Sequence, residues 1–80
     1  MEPNFQEKIK TEIEHALGPA PYVMRSDPMR QRIDGLSPGV IANMDSAGTG
    51  PRERVMVGRK VAYLRGPYVE WVLGRMRPAR

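Results

Sequence analysis

Cations are the residues best equipped for chemistry in this chain of 80 residues. Arg52, Arg54, Arg59, Lys60 and Arg65 fall in one short segment, and Arg30 and Arg32 stand upstream of it. Side chains of this type at this density suit the neutralisation of phosphates, although a merely solvated basic face has the same composition. Between the two groups lie residues suited to the edges of bases. Asn43 has the paired donor and acceptor that match adenine, and Ser37 has a hydroxyl. Gly39 and Ala42 are small enough for close backbone approach, and Val40 or Ala42 suits apolar contact with a thymine methyl. Each has a plainer role as well: Ser37 as a helix cap, Asn43 as a solvated surface amide.

No other constellation points to catalysis. His15 is the single histidine, and its neighbours Glu12 and Glu14 fall on different faces of a helix, so no metal site is indicated. Asp27, Asp34 and Asp45 read as cap, turn and helix-end residues rather than as an acid–base pair. The glycines lack the spacing of a phosphate loop. With no cysteine, disulfide staples are excluded. A single domain of this length has little room for a deep cleft beside a complete core. The expectation is a protein without enzymatic activity, metal or cofactor. No apolar run approaches the roughly 18–20 residues of a membrane span, and Met1 to Lys10 is too polar for a secretory signal. A soluble cytoplasmic domain with no membrane partner is therefore expected.

Charge is unevenly distributed. Through Ala20 two lysines face four glutamates, a net of −2; Pro21 to Gly50 balances; Pro51 to Arg80 carries a net of +6. A positive field focused on one third of a small protein favours a polyanionic partner, of which nucleic acid is the commonest.

The elements that must position these residues follow from periodicity and punctuation. Pro3 to Leu17 reads as an amphipathic helix, with Phe5, Ile9, Ile13 and Ala16/Leu17 on one stripe, and Gly18, Pro19 and Pro21 stop it. The stripe packs on its own domain or serves self-association. Tyr22 to Arg25 reads as extended. Asp27-Pro28 opens a short helix to Ile33, closed by Asp34-Gly35. Ser37-Pro38 opens a second helix to about Ala47, with Leu36, Val40, Ile41 and Met44 on its apolar side and Gly48 as its stop. Two capped helices about a tight glycine turn make a helix-turn-helix candidate.

Arg54 to Val57 and Val61 to Leu64 read as a β-hairpin. A loop of Gly58 and Arg59 alone sets Val57 opposite Lys60 and divides the hydrophobes between faces. A three-residue loop including Lys60 sets Val57 opposite Val61 and Val55 opposite Tyr63, giving one apolar face, and is the expected form. Arg59 and Lys60 then sit at the tip of a wing. Gly66-Pro67 starts a last helix, Tyr68 to Leu73, in which Trp71, like Tyr63, is expected in the core. Gly74 ends it, and the basic tail that follows is expected to lack order of its own. The organisation is an N-terminal helix (1–18), a central domain (22–73) and a basic tail (74–80), mostly α with a small β-hairpin.

Residues Val23 to Val72 resemble the excisionase and AlpA-type regulators, MerR-like winged helix-turn-helix proteins of phages and other mobile elements. Gly48-Thr-Gly-Pro51, Val57-Gly-Arg59, Val61-x-Tyr63-x-Arg65, Trp71 and Gly35-Leu36-Ser37 carry the likeness. The resemblance implies a glycine–proline entry to the wing, a glycine–arginine turn capping it, and a tyrosine and tryptophan pinning wing and last helix to the core. It also implies double-stranded DNA as partner, cooperative arrays that bend DNA, and an integrase as a possible companion. The recognition helix departs from the family pattern, since Pro38 to Asn43 contains no basic residue and Asp34 reads as an insertion in the turn. Two functions follow as expectations. One is a DNA-binding accessory factor for excision or transcriptional regulation. The other is a protein-interaction module on the same scaffold, for a recombinase, polymerase or defence protein. A packaging subunit, which would form a ring, is a third and weaker alternative.

Overall fold

Three helices begin where a short polar side chain takes up the free N–H groups of the first turn. The computed structural model describes residues 4–79 as α1 (Phe5–Leu17), β1 (Tyr22–Met24), α2 (Pro28–Asp34), α3 (Pro38–Ala47), β2 (Arg54–Val57), β3 (Lys60–Leu64) and α4 (Arg65–Gly74). Pro3, expected in the first turn of α1, and Arg80 of the tail lie outside the described residues. Asn4 caps α1 by accepting from the Glu7 N–H at 2.8 Å, and Asp27 caps α2 by accepting from the Met29 N–H at 2.8 Å. Ser37 caps α3 through the Val40 N–H at 3.2 Å. Gly35 and Gly48 close α2 and α3 in the left-handed conformation, with φ of 74° and 78°.

The fold is a small mixed α/β unit of four helices and a three-stranded antiparallel sheet, ordered β1-β3-β2. The Tyr22–Met24 stretch, expected only as extended, is thus a third strand: Val23 pairs with Tyr63 on β3, whose other neighbour is Arg54. The stripe of α1 turns inward, with Ile13 buried and Ile9 and Leu17 packed on the core, while α1 lies against α4 and α2. Its apolar side is largely occupied within the domain, leaving Phe5 exposed.

The hairpin corrects one expectation. Val57 pairs with Lys60, Met56 with Val61, Val55 with Ala62, so the turn holds Gly58 and Arg59 alone. Gly58 has φ 64° and Arg59 has no positive φ, the pattern of a type II′ turn. The competing constraint is Tyr63. Its face must meet Val23 and the core, and this register sets Arg54 beside it, where the guanidinium reaches a carboxylate on α3. Val55 and Val57 are carried to the other face as the consequence.

Two Arg–Asp–Tyr clusters, one buried and one partly exposed at its arginine, tie these layers together. Arg30, expected on the surface, is wholly buried, as is the side chain of its partner Asp34. Its Nη1 donates to both Asp34 carboxylate oxygens at 2.7 Å, Nε to the Arg25 carbonyl at 2.7 Å and Nη2 to the Leu36 carbonyl at 2.8 Å. Asp34 also accepts from the Leu36 N–H and the Tyr68 hydroxyl, each at 2.8 Å. Asp34 is the last residue of α2, and with Arg30 it grips both polar groups of Leu36. In the second cluster, Arg25 donates to the Tyr63 hydroxyl at 3.0 Å and to Asp45 at 2.7 Å, and Tyr63 donates to Asp45 at 2.6 Å. The two tyrosine rings stack at 6.2 Å between centroids, joining the clusters through the core. Burial of so many polar groups is tolerable because nearly every one is paired.

α4 starts at Arg65, before the expected Gly66-Pro67, and the chain beyond it is tied down, since Met76 packs on the core.

Two outcomes follow. Asp34→Asn leaves the Arg30 guanidinium buried without its counter-charge and costs about 3–5 kcal/mol, against a total of about 4–12 kcal/mol expected for a domain of this length. Urea unfolding at neutral pH reads this loss, whereas Glu12→Gln on the exposed side of α1 shifts the midpoint little; equal midpoints would contradict the account. Burial, reinforced by the hydrogen bonds to Asp45 and Asp34, raises the Tyr63 and Tyr68 phenols above their ordinary value of about 10. A raised folded value favours the neutral phenol in the native state. Its stabilisation is complete below pH ~10 and falls as pH climbs above that. The urea midpoint should decline above that pH, and Tyr68→Phe should make the decline shallower; a midpoint level to a full unit higher contradicts this.

Candidate nucleic-acid interface

The outward side of α3 is small and neutral. Gly39, Val40 and Asn43 are exposed, Ala42 is half-buried, and Ile41 and Asp45 face inward. Ser37, weighed as a base reader, has its hydroxyl engaged as the α3 cap, so Asn43 remains the exposed side chain here best able to read a base edge.

The hairpin runs alongside both ends of this helix. Near the α3 N-terminus, Lys60 and Val61 share a groove with Arg25, Ser26 and Pro38. Near its C-terminus, Asp45 and Gly48 share a cavity with Gly50, Arg52 and Arg54. Arg59, at the second position of the turn, and Lys60, at the start of β3, are both exposed. Arg54 is about half exposed and its guanidinium stands 3.5 Å from Asp45 Oδ1, an ion pair longer than a good hydrogen bond. The Asp45 side chain, only 4 % exposed, is thus flanked by Arg25, the residue after β1, and by Arg54 on β2.

Local sequence explains this approach. A Cβ at Gly50 would collide with the Asp45 carboxylate, so the Gly48-Thr-Gly-Pro51 entry closes over α3 only with glycine there. Glu53 takes φ 55°, an uncommon conformation for a residue other than glycine, as the chain turns into β2. Trp71 donates from Nε1 to the Thr49 carbonyl at 2.9 Å and so fastens α4 to the same entry loop.

Two of the cations assigned to phosphates are engaged inside the fold. Arg30 is the buried partner of Asp34. Arg65 donates to the carbonyls of Gly18 and Glu14, holding the C-terminus of α1 against the start of α4. Neither is free to meet a ligand. Arg32 is exposed but stands on α2, while Arg52, Arg54, Arg59 and Lys60 are exposed on the hairpin and its entry. Sequence reasoning missed Arg25 and Asp45 as structural ions. The spacing of Arg30 and Asp34, four apart on a helix, was the available signal for that pair.

Among the described residues, no three histidine, cysteine or acidic side chains come together as a metal site, and no helix is long and apolar enough to cross a membrane. Comparisons with protein-family models, with curated proteins and with solved structures give no match.

Proposed function

We propose that this protein binds double-stranded DNA as a winged helix-turn-helix accessory factor, of the kind that assists excision or regulates transcription in phages and mobile elements. One observation carries the reading: Arg52, Arg54, Arg59 and Lys60 remain exposed on a hairpin and its entry loop, which flank a neutral, small-faced helix. On this reading α3 enters the major groove, with Gly39 and Ala42 permitting close approach and Asn43 facing base edges. The hairpin is the wing, and Arg59 at its tip suits the negative potential of a narrow minor groove. With α3 uncharged, phosphate contacts dominate affinity, and specificity comes mainly from DNA shape and from Asn43.

The occupied arginines set the magnitude. With Arg30 and Arg65 excluded, five exposed cations remain of the seven first considered: Arg32, Arg52, Arg54, Arg59 and Lys60. At about −0.9 per phosphate contact, these five should contribute about −4 to −4.5 to the slope of log affinity against log salt. The paired substitution Arg59→Glu with Lys60→Glu should weaken binding at least a hundredfold at low salt without lowering thermal stability, since both residues are exposed. A flat salt response of the unaltered protein, or full binding by the charge-reversed one, would defeat the proposal.

A second reading is favoured by the apolar residues left exposed on α3 and β2, Val40 at 45 % and Met56 at 62 %. They suit a protein partner such as a recombinase or polymerase. On that reading the charge-reversed protein keeps its biological activity.

A further inference from the structure

The chain after α4 holds two exposed arginines in a defined place. The guanidinium of Arg75 lies over the Trp71 ring at 5.2 Å from its centroid, and Met76 packs on the hydrophobic core. Backbone bonds from Arg75 N–H to the Val72 carbonyl and from Met76 N–H to the Leu73 carbonyl, both at 3.1 Å, continue the end of the helix. Arg75 and Arg77 therefore flank an anchored methionine, and both are exposed. A positioned arginine loses less freedom on meeting a phosphate than one on a loose tail.

The surroundings extend this cationic surface. Trp71 shares a cavity with Gly50, Arg52, Pro67 and Glu70, and Gly50 and Arg52 also border the neighbouring cavity that holds Arg54. Arg54 and Arg52 thus border one stretch of surface with Trp71, over whose ring Arg75 lies, against the carboxylates of Glu53 and Glu70. This surface adjoins the C-terminal end of α3, whereas Lys60 stands by its N-terminal end. A helix lying in a groove between two phosphate strands has such cationic flanks at both ends.

We propose that the segment Arg75–Arg77, braced by Trp71 and Met76, is a second phosphate-binding element that joins Arg52 and Arg54 in holding the backbone of the same duplex. The inference rests on the DNA reading above and extends its footprint beyond α3 and the wing. Its chemistry is that of guanidinium donors on phosphate oxygens, with no requirement on base sequence.

Trp71 is the chain's single tryptophan, so its emission reports on Arg75 directly. The test uses the full chain and a duplex of mixed sequence. Adding DNA to the unaltered protein should change Trp71 emission. Replacing Arg75→Ala and Arg77→Ala together should remove most of that change and reduce the salt slope by about 1.8, two contacts at about 0.9 each. Replacing Lys8→Ala and Lys10→Ala on α1 should leave both readings as they were. A salt slope unchanged by the arm substitutions, with the unaltered protein still binding steeply with salt, overturns this inference and leaves the DNA reading standing. No salt-dependent binding by the unaltered protein overturns both.

Discussion

A guanidinium removed from water must find an acceptor for its donors and a charge to balance its own, and that requirement on Arg30 organises this small fold. Asp34 meets the charge, while the carbonyls of Arg25 and Leu36 take the remaining directions. In doing so the pair fixes the connection between α2 and α3. Tyr68 brings α4 to the same carboxylate, and its ring stacks on Tyr63, whose hydroxyl belongs to the Arg25–Asp45 cluster on the other side. Sheet, paired helices and final helix therefore meet at two ion clusters bridged by two rings. A domain with so few large apolar residues gains from this a unique arrangement rather than a large apolar core, and it becomes sensitive to the loss of any single member.

The same constraint divides the cations into two populations. Arg25, Arg30 and Arg65 are hydrogen-bonded within the fold, and Arg32, Arg52, Arg54, Arg59 and Lys60 are exposed. Arg54 belongs partly to each, since it faces Asp45 while remaining about half exposed. Arg25 ties α3 to β3 and Arg30 fixes the connection from α2 to α3, while Arg52, Arg54 and Lys60 border the cavities beside α3. The proposed DNA interface is therefore a product of the polar core: removing Asp34 or Asp45 would disturb the surface as well as the stability.

Much of the element order was legible in the residues. Asp27-Pro28, Ser37-Pro38, Gly35 and Gly48 mark starts and stops because caps and left-handed glycines act over a few residues. The apolar stripe of α1 and the burial of Tyr63 were legible for the same local reason. Three things were not. The hairpin register was misjudged because a uniform apolar face was weighed without the third strand, and that strand makes Tyr63 face the core. Asp34 does make the turn that was read from the residues, accepting from the Leu36 N–H, but its ion pair with Arg30 and its bond from Tyr68 went unread, the latter because Tyr68 is distant in sequence. Arg30 and Arg65 read as phosphate ligands because arginine type carries no sign of burial. What decides burial is a carboxylate or helix end brought close by the fold.

The most direct test of this division is the arginine side-chain Nε–H spectrum of the protein, recorded with and without a duplex. Arg25, Arg30 and Arg65 should give dispersed resonances, protected from exchange and unmoved by DNA. The resonances of Arg52, Arg54 and Arg59 should be averaged in the free protein and shift on binding. An exposed, DNA-responsive Arg30, or hairpin and entry-loop arginines indifferent to DNA, would contradict the account.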